Sequence, residues 1–83
     1  MAWVYILRGA NGRHYIGSAM DLQTRFAQHC RGHTATTRRL GGNLMIVASR
    51  EVETLGEARV LERLLKRKKN PGLAIFYLHG QQE

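Results

Sequence analysis

The chain predicts a small α+β domain, a sheet with helices packed on it in the order β-β-α-β-α-(α). Three observations lead there. Two β-branched and aromatic runs, Trp3–Leu7 and His14–Gly17, flank a glycine-rich turn near the N-terminus. Two helical segments open on patterns that resemble capping boxes, Ser18-x-x-Asp21 and Thr54-x-x-Glu57. Between them, Leu44-Met45-Ile46-Val47-Ala48 is continuously apolar. Eighty-three residues leave no room for a second domain, so residues 1–83 are read as one unit.

Trp3-Val4-Tyr5-Ile6-Leu7 is too short for a helix and suits a pleated surface. Gly9–Gly12 is a turn, and His14–Gly17 is the returning strand. Loop length sets the register. A two-residue Asn11-Gly12 turn pairs Leu7 with Ile16 and puts Tyr5 and Tyr15 on opposite faces. A three-residue loop, Ala10-Asn11-Gly12 with Gly12 left-handed, pairs Leu7 with Tyr15 and puts both tyrosines on one face. The pattern is compatible with either.

From Ser18 a helix runs to about Arg31, with Leu22, Phe26 and Cys30 as its buried stripe and Arg25 and His29 along the border. Gly32 is a natural stop. His33–Arg39 is Thr-rich and basic, a loop or a short helix, and Gly41-Gly42 breaks it. Leu44–Ala48 suits a strand buried on both faces. The second capping box starts a helix from Leu55 to about Lys68, with Ala58, Leu61, Leu64 and Leu65 inward. Its basic end, Lys66-Arg67-Lys68-Lys69, meets the helix dipole favourably. Asn70-Pro71 reads as an N-cap and first helical proline. Leu73–Leu78 is then a short helix, although Ile75-Phe76-Tyr77 would also suit a strand.

At 43% hydrophobic residues the chain can bury a thin core. Cys30 is the single cysteine, so no internal disulfide forms. The N-terminal apolar run ends at Arg8, which argues against a signal peptide, and nothing reaches the length of a membrane span. A cytoplasmic setting is expected. Net charge is +7 and uneven. Residues 1–50 carry seven arginines against one aspartate, whereas residues 51–83 carry six lysines and arginines against five glutamates. Such an excess favours a polyanion, most often nucleic acid.

The most informative stretch is Tyr15–His29. It runs from a strand tyrosine through a Gly-Ser break into a helix that places Asp21, Arg25 and His29 four residues apart on one face. A phenol, a guanidinium and an imidazole are groups that phosphate chemistry uses. Each has a plainer reading: the tyrosines as packing, Asp21–Arg25 as a helical ion pair, His29 as a border residue of the core. His29, Cys30 and His33 resemble zinc ligands but lack a second pair, and Cys30 belongs to the apolar stripe. As a nucleophile Cys30 lacks a fixed partner.

Tyr5, Tyr15-Ile16-Gly17-Ser18, Asp21-Leu22, Arg25, His29 and the pair Ala58 and Glu62 together resemble the GIY-YIG nuclease family over about residues 3–69. That family includes phage-type homing endonucleases, the incision subunit of bacterial nucleotide-excision repair and small stand-alone members. Trp3-Val4 stands where the family carries Gly-Ile. The resemblance implies a three-stranded antiparallel sheet flanked by helices and metal-dependent phosphodiester hydrolysis, in DNA repair or recombination. It implies that Tyr5 and Tyr15 line the site, Arg25 contacts the scissile phosphate and Glu62 holds one Mg²⁺ or Mn²⁺. His29 would relay a proton or bind phosphate.

Physical chemistry constrains these roles. A free phenol has a pKa near ~10 and needs a nearby cation or metal to act as a base. Arg25 can clamp phosphate oxygens bidentately. Glu57 is committed to its capping box; Glu62 sits at the edge of the apolar stripe, with an exposed Glu62–Lys66 pair as its plainer reading. One carboxylate cannot fill a metal shell, but Mg²⁺ keeps waters and gains oxygens from substrate. Arg31, Arg38, Arg39, Lys66, Arg67, Lys68 and Lys69 would grip flanking DNA phosphates, which position the strand without reading its sequence. Specificity would then come from a protein partner. Many family members carry an asparagine after the glutamate helix; Asn70 is the candidate, and its cap role competes. The rival reading is a non-catalytic nucleic-acid-binding module with the same fold. The nuclease reading requires Tyr5, Tyr15, Arg25 and Glu62 to converge on one concave surface, and it favours the three-residue hairpin loop.

Overall fold

A computed structural model describes residues 1–31 and 35–80. The two N-terminal runs form β1 (Ala2–Arg8) and β2 (His14–Ala19), followed by α1 (Leu22–Cys30) and α2 (Ala35–Leu40). Then come β3 (Met45–Val52), α3 (Leu55–Arg67) and α4 (Pro71–Gly80). The sheet order is β2-β1-β3, with both pairs antiparallel. The expected three-stranded antiparallel sheet with helices is therefore present.

The hairpin takes the three-residue loop. Gly9 N–H donates to Arg13 O and Gly12 N–H to Gly9 O, both at 3.0 Å. Gly12 has φ 82°, where a side chain would be strained. Leu7 faces Tyr15 and Tyr5 faces Gly17 across the ladder. Both tyrosines therefore lie on the same face of the sheet.

Burial on both faces belongs to β1, not to β3 as its apolar run suggested. Ala2, Val4, Tyr5, Ile6 and Leu7 are all buried in this central strand. β3 is an edge strand, with Met45 exposed and Leu44 just outside it. Its apolar run has a different cause. The ladder passes from Ile6↔Ala48 to Leu7↔Ile46, so Val47 is a bulge residue. The bulge sends Val47 and Ala48 to one core and Leu44 and Ile46 to the other.

One face of the sheet packs Val4, Ile6 and Ala48 against Ala58 and Leu65 of α3 and Ala74 and Leu78 of α4. The other packs Tyr5 and Leu7 against Leu40, with Leu22 and Phe26 of α1 alongside. Leu61 is half-buried as expected of the α3 core face, but Leu64 is turned outward.

Two of the three helix starts follow the sequence. Thr54 Oγ1 accepts from Glu57 N–H (3.1 Å), and Asn70 Oδ1 accepts from Leu73 N–H (3.2 Å) ahead of α4. Ile75–Tyr77 is therefore helical. At α1 the cap is Asp21, whose Oδ1 accepts from Thr24 N–H at 3.1 Å. Ser18, expected to open that helix, lies in β2. The basic segment before Leu40 includes the short helix α2; His33 falls outside the described residues. Among the described residues no helix is long and apolar enough to cross a membrane.

Candidate active site

The helical period of α1 decides what meets the tyrosines. At about 100° per residue, His29 lies only about 20° around the helix from Leu22, whereas Cys30 lies about 80° away. The inward stripe is thus Leu22, Phe26 and His29. His29, expected at the border, is fully buried; Cys30, expected inside, is exposed. That divergence also separates two of the three residues that resembled a zinc set. Among the described residues no group of three or more His, Cys, Asp or Glu could hold a metal ion.

His29 Nε2 sits 3.2 Å from Tyr5 Oη. The rings of Tyr5, Tyr15 and His29 form a triangle with centroids 6.2, 6.1 and 5.5 Å apart, all tilted or edge-on. Gly17 makes room for this cluster. A β-carbon there would lie 2.7 Å from both Tyr15 Cε2 and Tyr5 Oη. Half-buried Arg25 donates from Nη1 to Gln28 Oε1 (3.1 Å), and its guanidinium acts electrostatically on the Tyr5 phenol. Asp21 is committed to capping; its pKa is lowered chiefly by the Thr24 amide that it accepts from.

Burial pushes the Tyr5 phenol above its ordinary pKa. The Arg25 guanidinium opposes this, while Tyr15 and the Glu62 carboxylate add to it. Burial pushes His29 the other way, below 6.5, and the Arg25 guanidinium adds to that. Near neutral pH the pair is therefore a neutral phenol beside a neutral imidazole. An imidazole with a depressed pKa contributes stability that is complete above about pH 6.5 and is lost as pH falls through its folded pKa. The melting temperature is expected to drop as pH falls below about 6.5, and His29→Gln to flatten that dependence. Equal acid slopes for the two proteins, read by thermal melts from pH 7.5 to 4.5, would contradict it.

Glu62 arrives from the other side. Its helix, α3, packs over β2 and β1 on the face opposite α1. Because β2 is an edge strand, the side chain reaches Ser18: Ser18 Oγ donates to Glu62 Oε1 at 2.6 Å. Glu62 Oε2 pairs with Lys66 Nζ at 2.7 Å, and the Glu62 side chain is 20% exposed. Tyr5, Tyr15, Arg25 and His29 therefore meet on one face, whereas Glu62 belongs to the helix on the other. The expected convergence of Tyr5, Tyr15, Arg25 and Glu62 on one concave surface is not seen. Glu62 bonds the edge strand at Ser18, and its charge acts on Tyr5. Ser18 was missed as its partner. Strand alternation was the available signal, since Ser18 follows Gly17 and must face α3. Arg59 and Arg63 were missed too; with Glu62 and Lys66 they line a cleft of about 290 Å³.

The remaining basic residues are dispersed. Arg31, Arg38, Arg39, Lys66, Arg67 and Lys69 are exposed. Half-buried Lys68 places Nζ 4.5 Å from the centre of the Tyr77 ring. Asn70 caps α4.

The GIY-YIG catalytic domain, as a family profile, matches residues 1–74. A UPF0213 protein of Streptococcus pneumoniae serotype 4 is 34% identical over 80 residues, covering 96% of this chain and 81% of that protein. A UPF0213 protein from a second strain of the species is 33% identical with the same coverage. No solved structure gives a significant match.

Proposed function

The chain belongs to the GIY-YIG nuclease family, and on that premise we propose that it hydrolyses DNA phosphodiesters with one divalent metal held at Glu62. The observation that supports this most is the Tyr5–His29 hydrogen bond beside Tyr15, with the Arg25 guanidinium acting on the same phenol. Water attacks phosphorus and gives its proton to Tyr5 Oη as the phenol proton passes to His29 Nε2. The P–O bond to the leaving sugar oxygen breaks, and that oxygen takes a proton from solvent. The relay never requires a free phenolate, so the raised Tyr5 pKa is no obstacle. It does require His29 neutral with Nε2 unprotonated, and burial favours the neutral ring. Arg25, whose guanidinium acts on the same phenol, neutralises charge that builds on the phosphate oxygens. Tyr15 walls the site and orients the phosphate.

The donor set fits Mg²⁺ or Mn²⁺ better than zinc. One partly exposed carboxylate, oriented by Ser18 and already paired with a cation, suits a metal that keeps its waters and takes substrate oxygens. Such an ion would supply Lewis-acid charge neutralisation at the phosphate and its leaving oxygen. A cytoplasmic role in DNA repair or recombination accords with this activity, with sequence choice supplied by a protein partner.

Purified protein incubated with branched and single-stranded DNA is expected to cut with Mg²⁺ or Mn²⁺ and not with EDTA. Arg25→Ala should lose about 10²–10³-fold in rate, and Glu62→Ala should be inactive. Cleavage surviving Glu62→Ala would remove the metal role. The non-catalytic reading draws on the Lys66–Glu62 pair, which occupies the carboxylate. Salt-sensitive binding with no cleavage of any substrate would carry that reading instead.

A further inference from the structure

Tyr15 belongs to two places at once. One side of it meets Tyr5 and His29; the other lines a cleft of about 460 Å³ at the hairpin end of β2. The cationic lining of that cleft comes from three separate elements: Arg13 at the hairpin, Arg39 on α2, and Lys66 and Lys69 at the end of α3. Asn70 and Pro71, where α4 begins, close one side. No acidic residue lines it, and Ile6, Ile16, Leu40 and Leu65 supply apolar surface. Lys66 also lines the smaller cleft around Glu62 with Arg59 and Arg63, so the two clefts adjoin. From Arg59 to Lys69 the helical register spans about 15 Å, enough for several successive phosphates.

Lys69 carries a second signal. It follows the last turn of α3 with φ 53°, a left-handed position that favours glycine. A long cationic side chain is kept there at the expense of local strain, and such strain gathers at binding sites.

We propose that this cleft is the track for a nucleic-acid backbone, leading the strand past Tyr15 to the Arg25–Tyr5 site and then along α3 past Glu62. The inference rests on the nuclease reading for the nature of the ligand. It sorts the basic residues. Arg13, Arg39 and Lys69 in the larger cleft and Arg59 and Arg63 beside Glu62 hold phosphates. Lys66 stays paired with Glu62 between the two clefts, and Arg31, Arg38, Arg67 and Lys68 lie outside the track. Its contacts are to charge and sugar, so binding is indifferent to base sequence.

The test is fluorescence anisotropy of the full chain with labelled single-stranded and duplex oligonucleotides of two unrelated sequences. EDTA is present so that no cutting intervenes, and the salt is varied. Arg13→Ala, Arg39→Ala and Lys69→Gly are each expected to weaken binding several-fold and equally on both sequences. Each should also lower the slope of log K against log salt by about 0.9 on duplex or about 0.7 on single strands. Arg31→Ala should leave the slope unchanged. Lys69→Gly is the decisive variant, because it relieves the left-handed strain and should keep or raise the melting temperature while binding falls. Wild-type binding by all three cleft variants, with cleavage by the unaltered protein intact, would overturn the track and leave the nuclease reading standing. An unaltered protein that neither binds nor cuts would overturn both.

Discussion

Tyr5→Phe is expected to lower DNA cleavage by about 10²–10⁴-fold, the usual worth of a positioned proton-transfer group, while leaving DNA binding unchanged. The substitution keeps the ring that packs against Tyr15 and His29 and removes only the oxygen that bonds His29 and feels the Arg25 charge. The fold should feel it less, at about 1 kcal/mol for a lost buried hydrogen bond. Single-turnover rates measured beside thermal melts separate these effects. The same relay gives cleavage an acid limb that sets in below the ordinary imidazole pKa of about 6.5, because burial holds His29 neutral to lower pH. A Tyr5→Phe enzyme at full rate would make Tyr5 a packing residue and move the proton acceptor to Tyr15, which Tyr15→Phe would then reveal.

Gly17→Ala is expected to damage fold and site together. The new methyl would lie 2.7 Å from Tyr15 Cε2 and Tyr5 Oη and 2.8 Å from Tyr5 Cζ. Tyr5 is 1% exposed and boxed in by His29 and Leu7, so it cannot swing clear. Overpacking of this kind costs about 1–3 kcal/mol. A shift of about 1 Å at the phenol can cost a further 10²-fold in rate. Gly12→Ala is the contrast. It strains the hairpin loop by about 1–2 kcal/mol, but its methyl meets nothing within 4 Å and the tyrosines stay in place. Urea unfolding and cleavage assays on both variants check this. If Gly17→Ala matched Gly12→Ala in rate, the close approach at Gly17 would not matter to the site.

Much of this was legible along the chain because local chemistry sets it. Thr54 and Asn70 announce their helices, since short polar side chains satisfy the first free amides. Ser18 misled for the same reason. Its hydroxyl suits a helix start as well as a strand-edge contact with Glu62, and position along the chain does not distinguish them. The apolar run of β3 misled because a bulge at Val47 can feed two cores from an edge strand. Cys30 and His29 exchanged expected places because a 3.6-residue period carries Cys30 about 80° around the helix from Leu22 and His29 only about 20°.

The set Tyr5, Tyr15, Arg25, His29 and Glu62 rests on the family resemblance, whereas the order of elements, the helix over Leu55–Arg67 and the excess of positive charge can be read from residue types and short spacings. Those are local properties, repeated wherever the same residues stand at the same intervals. The hairpin register is intermediate: Ala10-Asn11-Gly12 allows two loops, and the folded sheet selects the one that puts both tyrosines on a face. What joins the groups is not local at all. Tyr5 lies 24 residues from His29 and Ser18 lies 44 from Glu62. These pairs meet because β1 is central, β2 is an edge, and α1 and α3 take opposite faces of one thin sheet. Three strands place an edge next to the centre, so α3 can bond Ser18 on the same edge strand whose other face carries Tyr15.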